Sequence, residues 1–108
     1  MNSERQKGII TISLPEKLYR VLNKISFAKT RVPKGAHTDT HYHRFFSLYL
    51  VEKMDSLKIE TKEIKMPARA LVIVLPFVNH TWSNESGQSE ECYVSDLSPS
   101  HGEHLIFN

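Results

Sequence analysis

The amino-acid sequence predicts a small all-β domain with one short helix near its N-terminus. Runs of β-branched and aromatic residues recur along the chain, and turn residues separate them at intervals of roughly ten residues. The length of 108 residues suits a single domain, residues 1–108, built around one modest core. With 40% hydrophobic and 24% charged residues, the composition is that of an ordinary soluble domain.

The N-terminal segment predicts a strand followed by the short helix. Residues 8–13, "GIITIS", are rich in β-branched side chains, which favour strands. Residues 13–25 predict a helix in which Ser13 is the N-cap and Glu16, three places on, completes a capping box. Apolar residues recur in this segment at helical spacing, namely Leu14, Leu18, Val21, Leu22 and Ile25.

The rest of the chain predicts strands joined by turns. Residues 25–32 alternate apolar and polar side chains, as a half-buried strand does, and "PKG" at 33–35 is typical of a turn. The run "ALVIVLP" predicts a buried strand, because it is almost continuously apolar. Further strands are therefore expected at 45–52, 57–66, 70–76 and 91–97.

Charge and cysteine content exclude several functional classes. The formal net charge of +2 comes from 14 basic and 12 acidic residues spread along the chain, so no basic cluster for direct nucleic-acid contact is expected. The longest apolar run, residues 70–78, is too short to span a bilayer, which predicts no membrane association. Cys92 is the single cysteine, and we interpret it as a small core residue in a protein of the reducing cytoplasm.

The most distinctive segment is "HTDTHYH", residues 37–43, which holds three of the six histidines. Side chains two apart share one face of an extended strand. If the segment is extended, one face carries three histidines and an aspartate, in the order His37, Asp39, His41 and His43.

Two histidines at positions i and i+2 can bind one metal ion through their ring nitrogens, provided that a distant part of the chain supplies further ligands. His80 is the best distal candidate, because it follows the predicted buried strand at 70–76. The alternative is a solvated polar strand face without a site, and for His37 and Asp39 this alternative is favoured.

These residues resemble the two motifs of the cupin superfamily of small β-barrels. The first motif separates a glycine from His-x-His by five residues, as Gly35 is separated from His41 and His43 here. The second ends in a histidine and an asparagine with three residues between them, and "RALVIVLPFVNHTWSN" supplies His80 and Asn84 at those places. The resemblance implies a cupin-type double-stranded β-helix, a small jelly-roll-like barrel.

The sequence also departs from both cupin motifs. Ser47 stands where the first motif has its glutamate, so the metal-binding pattern keeps three histidines and loses its carboxylate. The closing glycine of the first motif is Met54, and the glycine, proline and second glycine of the second motif are Arg69, Leu75 and Phe77.

Within the cupins, residues 25–100 most resemble the N-terminal ligand-binding domain of AraC-type transcriptional regulators, in which a His-rich strand leads into an aromatic one, here "HYHRFFSLYLV". The resemblance implies a homodimer that senses a sugar or other small polar metabolite inside the barrel. It also implies that DNA is contacted through an attached domain, and that the tail "CYVSDLSPSHGEHLIFN" would continue toward that domain. The candidate ligand-binding residues are His41, His43, His80, Phe46, Tyr49 and Trp82.

The alternative function is a stand-alone metallo-cupin enzyme, an oxygenase or an isomerase. His41, His43 and His80 would then hold a divalent Fe, Mn, Ni or Zn ion, with Asp39 as a candidate fourth ligand. The loss of the carboxylate at Ser47 favours sensing over catalysis. A third interpretation is a structural barrel whose histidines only satisfy polar neighbours.

Overall fold

The computed structural model describes residues 3–6, 8–25, 28–54, 56–59, 62–84 and 91–97. Strands dominate this part of the chain, and they form two antiparallel sheets with one helix, which confirms the predicted mostly β fold class. Among the described residues, no helix has the length and apolar character needed to cross a membrane.

The described elements follow the chain in the order β1, β2, α1 and then β3 to β9. The helix α1 covers Glu16–Asn23. The strands are β1 (Ser3–Gln6), β2 (Ile9–Ser13), β3 (Ala28–Pro33), β4 (Ser47–Glu52), β5 (Ser56–Ile59), β6 (Lys62–Lys65), β7 (Arg69–Val74), β8 (Thr81–Ser83) and β9 (Glu91–Asp96). The large sheet has the order β1-β2-β7-β4-β9-β3, and the small sheet has the order β6-β5-β8.

The main core lies between the two sheets. On β7, Ala70, Val72 and Val74 alternate with less buried neighbours and point to the core side of the large sheet. Leu57 of β5 and Trp82 of β8, from the small sheet, belong to the same cluster of buried side chains. Because the two sheets share one apolar cluster, they pack face to face, and each fully buried aliphatic side chain contributes about 1.5–3 kcal/mol.

The helix α1 covers the opposite face of the large sheet. Tyr19 of α1 and Leu50 of β4 are fully buried there, in a second cluster with Leu71 of β7 packed against it. Because both faces of the central strands are covered, β7 is almost continuously apolar, as the predicted buried strand requires. Val21 and Ile25, which share the predicted helical spacing, are instead 57% and 64% exposed.

The helix begins later than the sequence pattern predicts. Ser13, the predicted N-cap, is the last residue of β2 and pairs with Ala70 of β7. Its backbone is therefore part of the sheet, and Pro15 takes the N-cap position with an extended backbone and no side-chain capping bond. Pro15 also favours an extended conformation at Leu14, so the helix cannot begin before Pro15.

Several strand predictions are confirmed with shifted boundaries. The predicted strands at 45–52, 70–76 and 91–97 correspond to β4, β7 and β9. The segment 57–66 forms two strands, β5 and β6, which pair with each other in an antiparallel hairpin. The strand predicted at 25–32 begins at Ala28, and β1 and β8 were not predicted as strands. Cys92 is fully buried in the main core, as predicted.

The turn before β2 contacts the segment that leads to His80. Gly8 has a φ of +85°, and a β-carbon added there would lie 2.8 Å from a methyl group of Val78. The Gly8 carbonyl also accepts a hydrogen bond of 2.9 Å from the Leu75 backbone N–H. Glycine is thus required both for the left-handed backbone and for this close approach.

Candidate metal centre

The His-rich segment runs antiparallel to β8 but pairs with it only at intervals. Isolated bridges join His37 to Ser83 and His41 to His80. Between them the Thr38 hydroxyl accepts the Trp82 backbone N–H at 2.9 Å. A continuous pair of strands would use the Trp82 N–H for a backbone hydrogen bond. Because the Thr38 hydroxyl accepts it instead, the pairing of the segment with β8 is interrupted.

The two halves of the segment have different environments. His37 and Asp39 are exposed, whereas His41 and His43 are 8% and 2% exposed. The four residues that strict alternation placed on one face thus differ in burial, and the exposure of His37 and Asp39 is consistent with the favoured interpretation of solvated polar residues. The isolated bridge just before β8 places His41 directly opposite His80, which is fully buried.

The structure brings His41, His43 and His80 together. Their candidate ligand atoms all lie within 4.8 Å of one another. The ring centroids of His41 and His80 are 4.4 Å apart, and those of His41 and His43 are 4.9 Å apart. Three buried imidazoles at these separations could hold one metal ion after a small movement of their side chains.

Main-chain hydrogen bonds orient two of the three rings. Nδ1 of His41 lies 2.8 Å from the Asp39 carbonyl oxygen, and Nδ1 of His80 lies 2.8 Å from the Val78 carbonyl oxygen. A carbonyl oxygen can only accept, so Nδ1 donates in both rings, and in the neutral imidazole Nε2 carries the lone pair. Metal-binding histidines are typically oriented in this way, so the residues fit a metal ion.

Asp39 contributes its main chain rather than its carboxylate. Its carbonyl oxygen orients His41, while the residue is exposed. In the described part of the chain, the group whose ligand atoms converge consists of the three histidines without a carboxylate. Asp39 is thus a residue that positions His41, and its predicted place as fourth ligand receives no support.

Tyr49 of β4 contacts two of the histidines. Its hydroxyl oxygen lies 2.8 Å from Nε2 of His43 and 3.3 Å from Nε2 of His80. Burial raises the pKa of Tyr49, and the negative charge of Asp96 on the neighbouring strand raises it further. In the absence of a cation the phenol is therefore neutral at physiological pH.

The predicted ligand-binding aromatic residues lie in two different environments. Tyr49 and Trp82 are 2% and 1% exposed, and their rings pack edge to face with centroids 5.4 Å apart. Phe46 is 53% exposed, like Phe45 and Phe77, which are 62% and 65% exposed. The first pair supports the histidines from the core, and the three phenylalanines are on the surface.

The remaining motif residues hold the His-rich segment in place. Gly35, with a φ of +85°, donates its backbone N–H to the carbonyl oxygen of Asn84 at 3.1 Å. Asn84 is fully buried and donates from Nδ2 to the Val32 carbonyl oxygen at 3.3 Å. Sequence reasoning names Tyr49 as a ligand-binding candidate but does not predict that its hydroxyl contacts the histidines, although strand alternation places it on the same face of β4 as Ser47.

Comparison with protein-family models, with curated proteins and with solved structures finds no match to this chain. The class of protein that fold and site define is therefore a small β domain with a three-histidine cluster that could bind metal.

Proposed function

We propose that this chain is a cupin-like domain that binds one divalent transition-metal ion through His41, His43 and His80. The observation that carries the proposal is the convergence of three buried imidazoles within 4.8 Å, two of them oriented by main-chain carbonyl groups. Imidazole nitrogen suits Fe, Ni and Zn in particular, and Mn remains a further candidate.

The cupin assignment is supported by the arrangement of the site in the fold. Two antiparallel sheets pack around one core. His41 and His43 come from one segment and His80 from another, and the bridge between His41 and His80 joins the two segments. In this proposal the bound metal keeps coordination positions open and attracts an anionic or polar small molecule, because three neutral imidazoles do not offset its charge.

The second candidate is the sensing domain of an AraC-type regulator, which binds a sugar or small organic acid as a homodimer and contacts DNA through an attached domain. Exposed aromatic residues near the histidines favour it. The Phe77 backbone N–H donates to the His43 carbonyl oxygen at 2.8 Å, and the rings of Tyr42 and Phe77 have centroids 5.9 Å apart. Aromatic faces beside polar groups suit small-molecule recognition.

Metal binding is tested by elemental analysis of untagged protein after dialysis against Zn²⁺, Fe²⁺, Mn²⁺ or Ni²⁺. We expect about one ion per chain for at least one of these metals, since the three histidines form a single group. His41→Ala should remove this ion, because a two-histidine site binds far more weakly.

The matched control is His37→Ala, which removes an exposed histidine of the same segment. It should keep the full stoichiometry. A wild-type protein that retains no metal under any of the four conditions would refute the proposal, and equal loss in both variants would assign the metal to another site.

Ligand sensing is tested with a panel of sugars and small organic acids. We expect at least one compound to raise the melting temperature of the metal-loaded protein, because a ligand that binds only the folded state stabilises it. Phe46→Ala should reduce this increase, and Ile25→Ala, an exposed residue of the helical segment, should not. If no compound shifts the melting temperature, the sensing function is rejected and the metal site stands alone.

A further inference from the structure

We infer that the Tyr49 hydroxyl oxygen is the fourth protein ligand of the metal, bound as a phenolate in the place left by the missing carboxylate. The inference rests on the proposed function, because it requires a metal ion between His41, His43 and His80. It adds a fourth protein ligand to the three histidines.

The distances around Tyr49 match those of a coordination sphere. Its oxygen lies 2.8 Å from Nε2 of His43 and 3.3 Å from Nε2 of His80. Ligand atoms at about 2.1 Å from a metal ion lie about 3.0 Å apart when they subtend a right angle and about 3.4 Å apart in a tetrahedron. The phenol oxygen is therefore already separated from two imidazole nitrogens as neighbouring ligands of one ion are.

The position of Tyr49 on β4 explains why it can replace the carboxylate. Ser47, which stands where the cupin motif has its glutamate, is buried on the core-facing side of the same strand, at 1% exposure. Tyr49 follows two residues later on the same face, and its longer side chain carries an oxygen to the histidines. A serine at 47 offers only a short hydroxyl group.

The Tyr49 side chain is held firmly in this position. Its backbone pairs with Val72 of β7 on one side and with Asp96 of β9 on the other. The Trp82 ring packs edge to face against the Tyr49 ring, with the two centroids 5.4 Å apart. Because strand and ring are both fixed, the oxygen is presented to the histidines before any metal binds, which lowers the cost of ordering the site.

The proton balance of the proposed binding step is simple. The phenol loses its O–H proton to solvent, the oxygen–metal bond forms, and the hydrogen bonds of Tyr49 to His43 and His80 are given up. Three neutral imidazoles and one phenolate then leave a divalent centre with a single net positive charge. No oxidant or reductant takes part.

Copper(II) is the probe for this ligand, because it binds nitrogen and oxygen sites most tightly among the divalent first-row metals. A phenolate ligand gives copper(II) a charge-transfer absorption band, and excitation in that band enhances phenolate ring vibrations in the Raman spectrum. We expect the band and the vibrations in the wild-type protein at about one copper per chain. Tyr49→Phe should lose both signals and keep the copper.

Tyr42→Phe is the matched control, because Tyr42 lies in the His-rich segment next to His41 and His43 and its own ring packs on Phe77. The band should survive in Tyr42→Phe, which excludes Tyr42 as its source, and its loss in folded Tyr49→Phe then assigns it to Tyr49. Copper binding without a phenolate band, or a band that persists in folded Tyr49→Phe or disappears in Tyr42→Phe, overturns the Tyr49 ligand and leaves the metal site intact. Absence of copper binding overturns both the ligand and the proposed function.

Discussion

Trp82→Ala is expected to lower the free energy of unfolding by about 3–5 kcal/mol. Trp82 is 1% exposed and belongs to the main core, where it pairs across the small sheet with Leu57. Its removal leaves a cavity between the two sheets and takes away the ring against which Tyr49 packs. A loss of this size is a large part of the roughly 5–15 kcal/mol that stabilises a typical domain.

Chemical denaturation of the metal-free protein measures this loss. Phe77→Ala is the control, because it also truncates a large aromatic residue, but one that is 65% exposed. It should change the free energy of unfolding by no more than about 0.5 kcal/mol. If the two variants lose the same free energy, the packing of Trp82 between the sheets does not stabilise the domain as described.

Metal binding is expected to produce the second large effect, on the melting temperature. A metal ion held at a free concentration about 100 times its dissociation constant stabilises the folded state by about 2.7 kcal/mol. For a domain of this size, that corresponds to an increase of about 10–20 °C. His80→Ala should abolish most of the increase, because His80 is fully buried and lies opposite His41.

The melting temperature of each variant is measured with and without a chelator, and the difference is compared, so that any loss of intrinsic stability cancels. His37→Ala should retain the wild-type increase, because its imidazole is exposed and outside the converging group. An equal increase in His80→Ala and the wild type would show that the ion binds elsewhere on the chain.

Local patterns were sufficient for five of the six strands of the large sheet, all except β1. The continuous apolar run of β7 and the apolar, aromatic run of β4 reflect burial, which is the dominant local signal in a strand. The helix start was predicted wrongly, because the Ser13 backbone pairs with Ala70 instead of capping a helix. That pairing depends on a segment far away in the chain, so no local pattern contains it.

Local patterns also predict one part of the candidate site and miss another. The spacing of His41 and His43, and the suggestion of His80 as their distal partner, follow from the period of two in extended chains and from a short motif. The sequence favours solvated positions for His37 and Asp39 but does not predict how the pairing with β8 is interrupted, because the Thr38 hydroxyl accepts the Trp82 backbone N–H that a continuous strand pair would use.

The sequence alone thus established a small β domain and three histidines suited to one metal ion, because both depend on side-chain type and short-range spacing. The tertiary structure decided that the rings meet within 4.8 Å, that Asp39 offers its carbonyl oxygen, and that Tyr49 reaches His43 and His80. These contacts join segments distant in the chain, and their geometry is set by the register of β4, β7 and β8 and by the packing of the two sheets.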